Sequence, residues 1–336
     1  MKEVLVTGGA GYLGLHVVEK LLKNRYKVRV LDNFSFGNSG LKSLEKKYNF
    51  ELINGDIRDL RVVLKSMDGV DAVIHLAGIV GDPASKLDPE QSIEVNYLST
   101  KMLVDVAKYF KIRQFLFASS CSVYGASNSK ILDESSKLSP VSLYADTKIK
   151  SEKIILESSG KYFSPTILRA GTLFGFSNRM RFDLVINLFV AQAIFEHKIS
   201  IEGGKQWRPF VHVDDAAEVY VRALELPLSK IQGIFNLGSN HFNYKLIDIG
   251  KLITEQIPNT KVKFSKTIDE RNYRVNFSKL AKILKYVPEK SVEFGIQEIK
   301  NKIESKIIKS WKDPIYYNNK ISMCMGKNKQ TQYYWK

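Results

Sequence analysis

The chain has 336 residues, of which 44% are hydrophobic, and a formal net charge of +16. That length and apolar share suit one large α/β unit with a smaller second lobe and exclude a disordered or fibrous chain; no run of about 18 uninterrupted apolar residues occurs, the longest candidate, Leu184 to Phe195, being broken by Asn187 and Gln192. The charge excess is lysine scattered over predicted helix faces without a zinc-finger or RNP pattern, which argues against nucleic acid and for a solvated surface whose field attracts anionic ligands.

The N-terminus reads as a first strand rather than a signal peptide: the apolar run Val4 to Val6 meets a glycine cluster, then Leu15, Val17, Val18, Leu21 and Leu22 at helical spacing. Gly9-Ala10-Gly11-Tyr12-Leu13-Gly14 fits G-x-G-x-x-G between strand and helix, where absent side chains let backbone N–H groups approach a pyrophosphate at the helix N-terminus. A second strand, Lys27 to Leu31, ends in Asp32, 21 residues after Gly11, where a dinucleotide fold places the carboxylate that binds the ribose hydroxyls. An acid there repels a 2′-phosphate and no arginine directly follows it, so the expected cofactor is NAD rather than NADP.

A turn-rich stretch, Asn33 to Gly40, precedes an expected short helix from Leu41 to Tyr48 and a third strand from Phe50 to Ile53. Asp56, just past that strand, either reaches the adenine end of the cofactor or caps the helix from Leu60 to Met67. Asp71 to Gly78 is the fourth strand and its exit turn, with Ala77 and Gly78 small enough for a cofactor to lie against the backbone, while His75 reads as a packed strand-end histidine. Asn96 falls in a helix from about Gln91 to Phe110, and Gln114 to Ala118 is a fifth strand, so the alternation implies right-handed crossovers and a parallel sheet.

The chemistry gathers next. Strand five runs into Ser119-Ser120-Cys121-Ser122-Val123-Tyr124-Gly125, and a polar loop leads to Tyr144-Ala145-Asp146-Thr147-Lys148. Tyrosine and lysine at i and i+4 share a helix face, so the ammonium lies near the phenol. Bringing a phenol from about 10 to about 7 takes roughly 4 kcal/mol, which a buried lysine and a positive nicotinamide ring can supply, and the phenol then exchanges a proton with a substrate hydroxyl. Taken alone, Tyr-x-x-x-Lys is equally an ordinary surface pair. Two cysteines, Cys121 and Cys324, make no disulfide framework and no metal cluster, so no metal is expected and a reducing cytoplasm is.

Taken together these residues resemble the extended short-chain dehydrogenase/reductase family, in its nucleotide-sugar epimerase/dehydratase branch. The likeness spans roughly residues 1 to 310: Thr7-Gly8-x-x-Gly11-x-x-Gly14, Asp32, Asp56, His75-Leu76-Ala77-Gly78, Asn96, Ser120 four residues before Tyr124, Tyr144-x-x-x-Lys148 and Arg208-Pro209-Phe210-Val211-His212-Val213-Asp214-Asp215. It implies an α/β fold, a Rossmann-type doubly wound parallel sheet with a smaller C-terminal α/β substrate lobe. Residues 1–170 would form the NAD-binding unit with 209–237 returning to it, 171–312 the lobe, and 313–336 a poorly ordered tail. To the cofactor it assigns Gly8, Gly11, Tyr12, Leu13, Gly14, Asp32, Asn33, Asp56, Ile57, Leu76, Ala77, Gly78, Asn96, Tyr144 and Lys148.

By the same resemblance Tyr144 is the acid/base, Lys148 lowers its pKa and holds the nicotinamide ribose, and Ser120 hydrogen-bonds the sugar oxygen that is oxidised. Ser120, Asn178, Arg208 and Arg271 would contact a nucleoside-diphosphate sugar, the arginines through forks of donors suited to phosphate. Asp214 is expected to cap the helix after it. Family members that eliminate water carry Asp and Glu after the serine, where this chain has Cys121 and Ser122. Members with a catalytic cysteine carry it where Ser122 stands, one place from Cys121. The segment Ile79 to Ala84 departs from the family's Ala-rich, Ser-containing loop. The implied activity is therefore an NAD-dependent nucleotide-sugar epimerase of the UDP-sugar 4-epimerase type, with a 4-keto-sugar reductase or dehydratase as the alternative, and a homodimer as the assembly.

Overall fold

The computed structural model describes residues 1–265 and 271–319, the side chains of 128–130 excepted, so the rest of the expected tail, with Cys324, lies outside the described residues. In chain order the first half contains β1 (Glu3–Thr7), α1 (Tyr12–Lys23), β2 (Lys27–Asp32), β3 (Phe50–Asn54), α2 (Leu60–Met67), β4 (Ala72–His75), α3 (Asp82–Leu87) and α4 (Pro89–Ile93). It continues with α5 (Ser99–Tyr109), β5 (Gln114–Ser120), β6 (Ala126–Leu132), α6 (Leu143–Glu157) and β7 (Ser164–Ala170). The second half contains β8 (Thr172–Phe174), α7 (Val185–Glu196), β9 (Lys198–Glu202), β10 (Trp207–His212), α8 (Val213–Glu225), α9 (Leu228–Ile231) and β11 (Gly233–Leu237). It ends with β12 (Asn243–Lys245), α10 (Leu246–Gln256), β13 (Lys261–Ser265), β14 (Asn272–Val275), α11 (Ser278–Leu284) and α12 (Val292–Glu304).

Seven parallel strands form the main sheet in the order β11-β7-β5-β4-β1-β2-β3. Along β1 alternate side chains face opposite layers: Val4 and Val6 join Val17, Val18 and Leu21 of α1 and Ala216 and Tyr220 of α8, whereas Leu5 joins Val63, Leu103 and Phe115. Burial on both faces is why the strand reads as an unbroken apolar run. Each such side chain contributes on the order of 1.5–3 kcal/mol. The strand order reverses between β1 and β4, paired from Val4–Ala72 to Thr7–His75, so the chain leaves these two strands in opposite directions and opens a crevice at their carboxyl ends.

Beyond this sheet, Phe174, Phe182, Phe189, Ile199, Phe210, Ile249 and Ile296 form a separate apolar cluster beneath α7, α10 and α12. Residues 171–265 and 271–319 are thus mostly organised around a second core, but β11 pairs with β7 and α8 packs on the α1 face of the main sheet.

Three local expectations are corrected. No helix forms from Leu41 to Tyr48; after a 3-10 turn at Ser39–Leu41 the segment is turns, with Leu41 and Leu44 buried as two isolated anchors. The helix expected over Gln91–Phe110 is α4 and α5 joined by a π turn, Glu94–Leu98, which holds Asn96. Residues 313–319 are packed rather than loose: a 3-10 turn at Pro314–Tyr316 donates and accepts backbone bonds, and Tyr317 and Asn318 are both 8% exposed.

Candidate active site

The glycine turn sits at the mouth of the crevice. Gly8 has φ +74°, and a Cβ there would lie 2.7 Å from the Ala77 amide nitrogen, so β1 and β4 approach as closely as they do only because no side chain intervenes. A Cβ on Gly14 would sit 2.2 Å from the Gly8 carbonyl oxygen, which keeps α1 tight against the turn. Asp32 closes the other side: its carboxylate accepts from the amides of Ala10, at 3.0 Å, and Phe34, at 2.9 Å. Burial pushes its pKa up, and those two amides pull it down. Each oxygen keeps a further lone pair for a ribose diol, and the side-chain-free turn is shaped for backbone donors to meet a pyrophosphate. These residues fit a dinucleotide.

Asp56 does not cap α2. That place is taken by Asp59, whose carboxylate accepts from the Arg61 amide, while Asp56 bonds to Arg58 and to Asn33 on the same rim. Ile57 is buried in the core layer below, and Leu76, Ala77 and Gly78 are half-buried along the crevice. At two expected cofactor positions the side chain is held by the protein itself. The Tyr12 hydroxyl donates to the Gly175 carbonyl at 2.6 Å, so its side chain ties the turn to the second lobe and only its backbone remains at the crevice. Asn96 exchanges two hydrogen bonds with the Ile79 backbone and donates a third to Thr147, so its amide shapes the loop after β4. Leu13 packs between the two apolar clusters.

Ser120, Tyr144 and Lys148 converge where β5 ends. Ser142 caps α6, its hydroxyl accepting from the Ala145 amide, and this fixes the first turn that carries Tyr144. The Lys148 ammonium donates to the Ala118 carbonyl at 2.7 Å and lies 3.9 Å from a Cβ position on Gly78. Burial lowers its pKa to about 8 against the opposing charge of Glu152. Ser120 accepts from the Ser122 amide at 3.1 Å and hydrogen-bonds Tyr144. Burial pushes the Tyr144 phenol up, and Arg181 is the first charge that opposes it; the Lys148 ammonium is 5.8 Å from the phenol ring centroid. At neutral pH the arrangement holds a protonated phenol, a serine hydroxyl and a buried cation around one small volume. His75 is a packed residue between Thr7 and Thr100, its pKa lowered to about 3 by burial.

The second lobe supplies cations. Arg208 is 4% exposed, lies over the Tyr273 ring and donates to the Arg271 carbonyl. Arg271 pairs with Asp82 at 2.9 Å, an ion pair between the second lobe and the start of α3. Asn178, an expected substrate contact, is exposed. Its neighbours Arg179 and Arg181 are instead buried, Arg181 held by Asp183 through two bonds of 3.0 and 2.7 Å. Asp82 lies in the Ile79 to Ala84 segment that departs from the family's loop, whereas Arg179 and Arg181 went unnoticed in the sequence, where the signal was two arginines two residues apart. Asp214 does not cap α8; the His212 ring accepts from its amide, and Asp214 pairs with Lys20 at 3.0 Å. Among the described residues no cluster of three or more metal-ligating side chains occurs, and no helix is long and apolar enough to cross a membrane.

Residues 4–238 match the model of the NAD dependent epimerase/dehydratase family. A putative UDP-glucose 4-epimerase of Methanocaldococcus jannaschii is 30% identical over 89% of this chain and 97% of its own length. A human dTDP-D-glucose 4,6-dehydratase is 29% identical over 77% of this chain and 75% of its own. The Bacillus cereus UDP-glucuronic acid 4-epimerase, solved with UDP-glucuronic acid and NAD, superposes with TM-score 0.82 at 28% identity, covering 90% of this chain and 99% of that one. With the glycine turn, Asp32 and these likenesses in agreement, NAD is the cofactor, and the chain belongs to the NAD-dependent epimerase/dehydratase family of nucleotide-sugar enzymes.

Proposed function

We propose that the chain is a nucleotide-sugar 4-epimerase. It would oxidise a sugar hydroxyl to a ketone and return the hydride to the opposite face. Bound NAD supplies the acceptor and donor of that hydride. The Tyr144 phenol would lose its proton to solvent under the pull of the Lys148 ammonium and the positive nicotinamide of bound NAD; the phenolate then takes the hydroxyl proton and gives it back, while Ser120 orients the reacting oxygen. Arg208 and Arg271 would bind the diphosphate, which anchors the nucleotide while the keto sugar turns over.

The observation that carries the reading is the pair that follows Ser120. Cys121 is 1% exposed, its thiol donates to the Arg169 carbonyl at 3.2 Å, and burial pushes its pKa up. The Ser122 hydroxyl is buried too. Neither offers the carboxylic acid that a dehydratase uses to protonate a leaving hydroxyl. The carboxylate closest in character, Asp82, is ion-paired with Arg271. Incubation with a panel of nucleotide sugars, read by mass spectrometry and NMR, tests this: the expected product has unchanged mass with NAD neither gained nor lost. A product lighter by one water would transfer the acid's role to Asp82, and one heavier by two hydrogens with NADH consumed would make the chain a reductase.

A homodimer is supported by the groove between α2 and α5 and the π turn before it, where Leu60, Leu64, Leu98, Met102, Val106 and Tyr109 lie beside the charged pair Lys101 and Asp105. Tyr109, Leu98 and Leu60 are 75%, 50% and 49% exposed there, so the apolar side chains form a neighbouring group rather than single scattered ones.

A further inference from the structure

The segment after α12 turns back to the carboxyl edge of the sheet. Asp313 caps its 3-10 turn by accepting from the Ile315 amide at 3.0 Å. The Phe182 amide donates to the Tyr316 carbonyl at 3.1 Å, and their rings meet edge to face at 5.4 Å. Ile315 lies 4.0 Å from a Cβ position on Gly37, in the loop that follows Asp32. Three residues on, the Asn318 amide donates to the Val80 carbonyl at 3.1 Å, in the loop that follows β4. The segment therefore spans the crevice, bonded to the loop after β4 through Asn318 and with Ile315 beside the loop that follows Asp32.

Arg179 lies between those contacts. Its Nη2 donates to Asn318 at 2.6 Å, and its guanidinium carbon stands 3.8 Å from the Phe36 ring centroid. Its charge acts on Asp32 and Tyr12, which places it beside the ribose-binding carboxylate and the glycine turn. The side chain is 7% exposed, yet its Nε has no hydrogen-bond partner among the described residues. A buried guanidinium donor left without an acceptor is unfavourable by itself, and the groove it borders is where a dinucleotide fold holds two phosphates.

We propose that Arg179 is a cofactor-contacting residue and that Asp313–Asn319 is a strap across the crevice which keeps NAD from leaving between turnovers. An enzyme that removes a hydride and returns it needs the same cofactor molecule for both halves of the cycle. A reductase must let its cofactor go. The strap acts on dissociation: NAD can escape only after Asn318 releases both Arg179 and Val80, so the barrier sits in the off-rate.

The test loads the full-length protein with radiolabelled NAD, chases with excess unlabelled NAD and follows retained label by rapid filtration, alongside melting of the cofactor-free protein. Asn318→Ala should speed release by about tenfold or more, the effect of losing one hydrogen bond to a charged group and one to a carbonyl. Arg179→Met, which keeps the stem over Phe36 and removes the donors, should speed it and weaken equilibrium binding as well. Ile315→Ala probes the opposite end should Asn318→Ala not fold. The proposal is overturned if the wild-type protein exchanges NAD as fast as Asn318→Ala does. It is equally overturned if both Asn318→Ala and Ile315→Ala release NAD at the wild-type rate, or if they lower the melting temperature with release unchanged.

Discussion

Replacing Glu152 by glutamine should be among the most damaging single changes outside the glycine turn. Glu152 and Arg169 are 3% and 2% exposed and share two hydrogen bonds, 3.0 and 2.7 Å, below the end of β5. Ser119 donates to the same carboxylate, and Arg169 passes on to Tyr124, whose hydroxyl donates to Asn236 at 2.7 Å. Glutamine keeps a similar shape but removes the charge, and a guanidinium stranded in the interior costs about 3–5 kcal/mol. Against a total stability of roughly 5–15 kcal/mol this is a large fraction. Urea denaturation measures it, and a loss below about 1 kcal/mol would refute the argument. Replacing both partners by methionine should recover much of the loss, because no charge is then left unpaired.

The same substitution carries a pH signature. Burial lowers Lys148 to about 8 while Glu152 opposes that shift, so the variant should lose its Lys148 proton at lower pH and its activity should fail earlier on the alkaline side. The sign for stability runs the other way. With the folded-state value below the ordinary lysine value of 10.5, the unfolded chain holds the extra proton between about 8 and 10.5, and stability gains from this group as pH rises through that window. In Glu152→Gln the window opens at a lower pH.

Tyr144→Phe should lower kcat about 10²- to 10⁴-fold and leave NAD affinity nearly unchanged, as steady-state kinetics and calorimetry would show; retention of more than about a tenth of kcat would send the search for the base elsewhere. Gly14→Ala should abolish NAD binding, since its Cβ would meet the Gly8 carbonyl at 2.2 Å and force the turn open. Arg271→Ala should chiefly raise KM, by the equivalent of about 1.5–3 kcal/mol for a charged hydrogen bond; unchanged kinetics in this variant and in Arg208→Ala would remove the diphosphate from the second lobe. Asp32→Asn should narrow the preference for NAD over NADP by removing the charge that repels a 2′-phosphate.

What could be read from the sequence was what is local. The glycine turn joins a strand and a helix between Glu3 and Lys23, and its spacing to Asp32 follows from one crossover, so backbone sterics write it directly into the residue order. Tyr144 and Lys148 are one helical turn apart and share a face wherever α6 packs. The destinations of the Tyr12 and Asn96 side chains were not legible, because a motif position says which backbone reaches the cofactor, not where the side chain points. Tyr12 lies in the turn but its hydroxyl found a carbonyl 163 positions away. Asp59 rather than Asp56 became the cap since only its carboxylate meets the Arg61 amide at the start of α2.

The features that distinguish this chain are non-local. Asn318 bonds Arg179 and Val80, 139 and 238 positions back, and Asp82 pairs with Arg271 from the other lobe. Low apolar periodicity from Asp313 onward made disorder the natural expectation, because a segment that crosses a surface as a strap buries single residues, Tyr317 and Asn318, without repeating them. Such a segment is held by contacts to loops on two different strands, and sequence spacing carries no record of that. The consequence reaches the proposed reaction: with Ser120, Tyr144 and Lys148 in the roles proposed, an epimerase and a reductase would use the same three groups and differ in whether the cofactor stays. Retention depends on groups around the crevice rather than in it. The place to look for the identity of the reaction is therefore Arg179 and the strap, and the NAD release rate reports on it before any sugar has been identified.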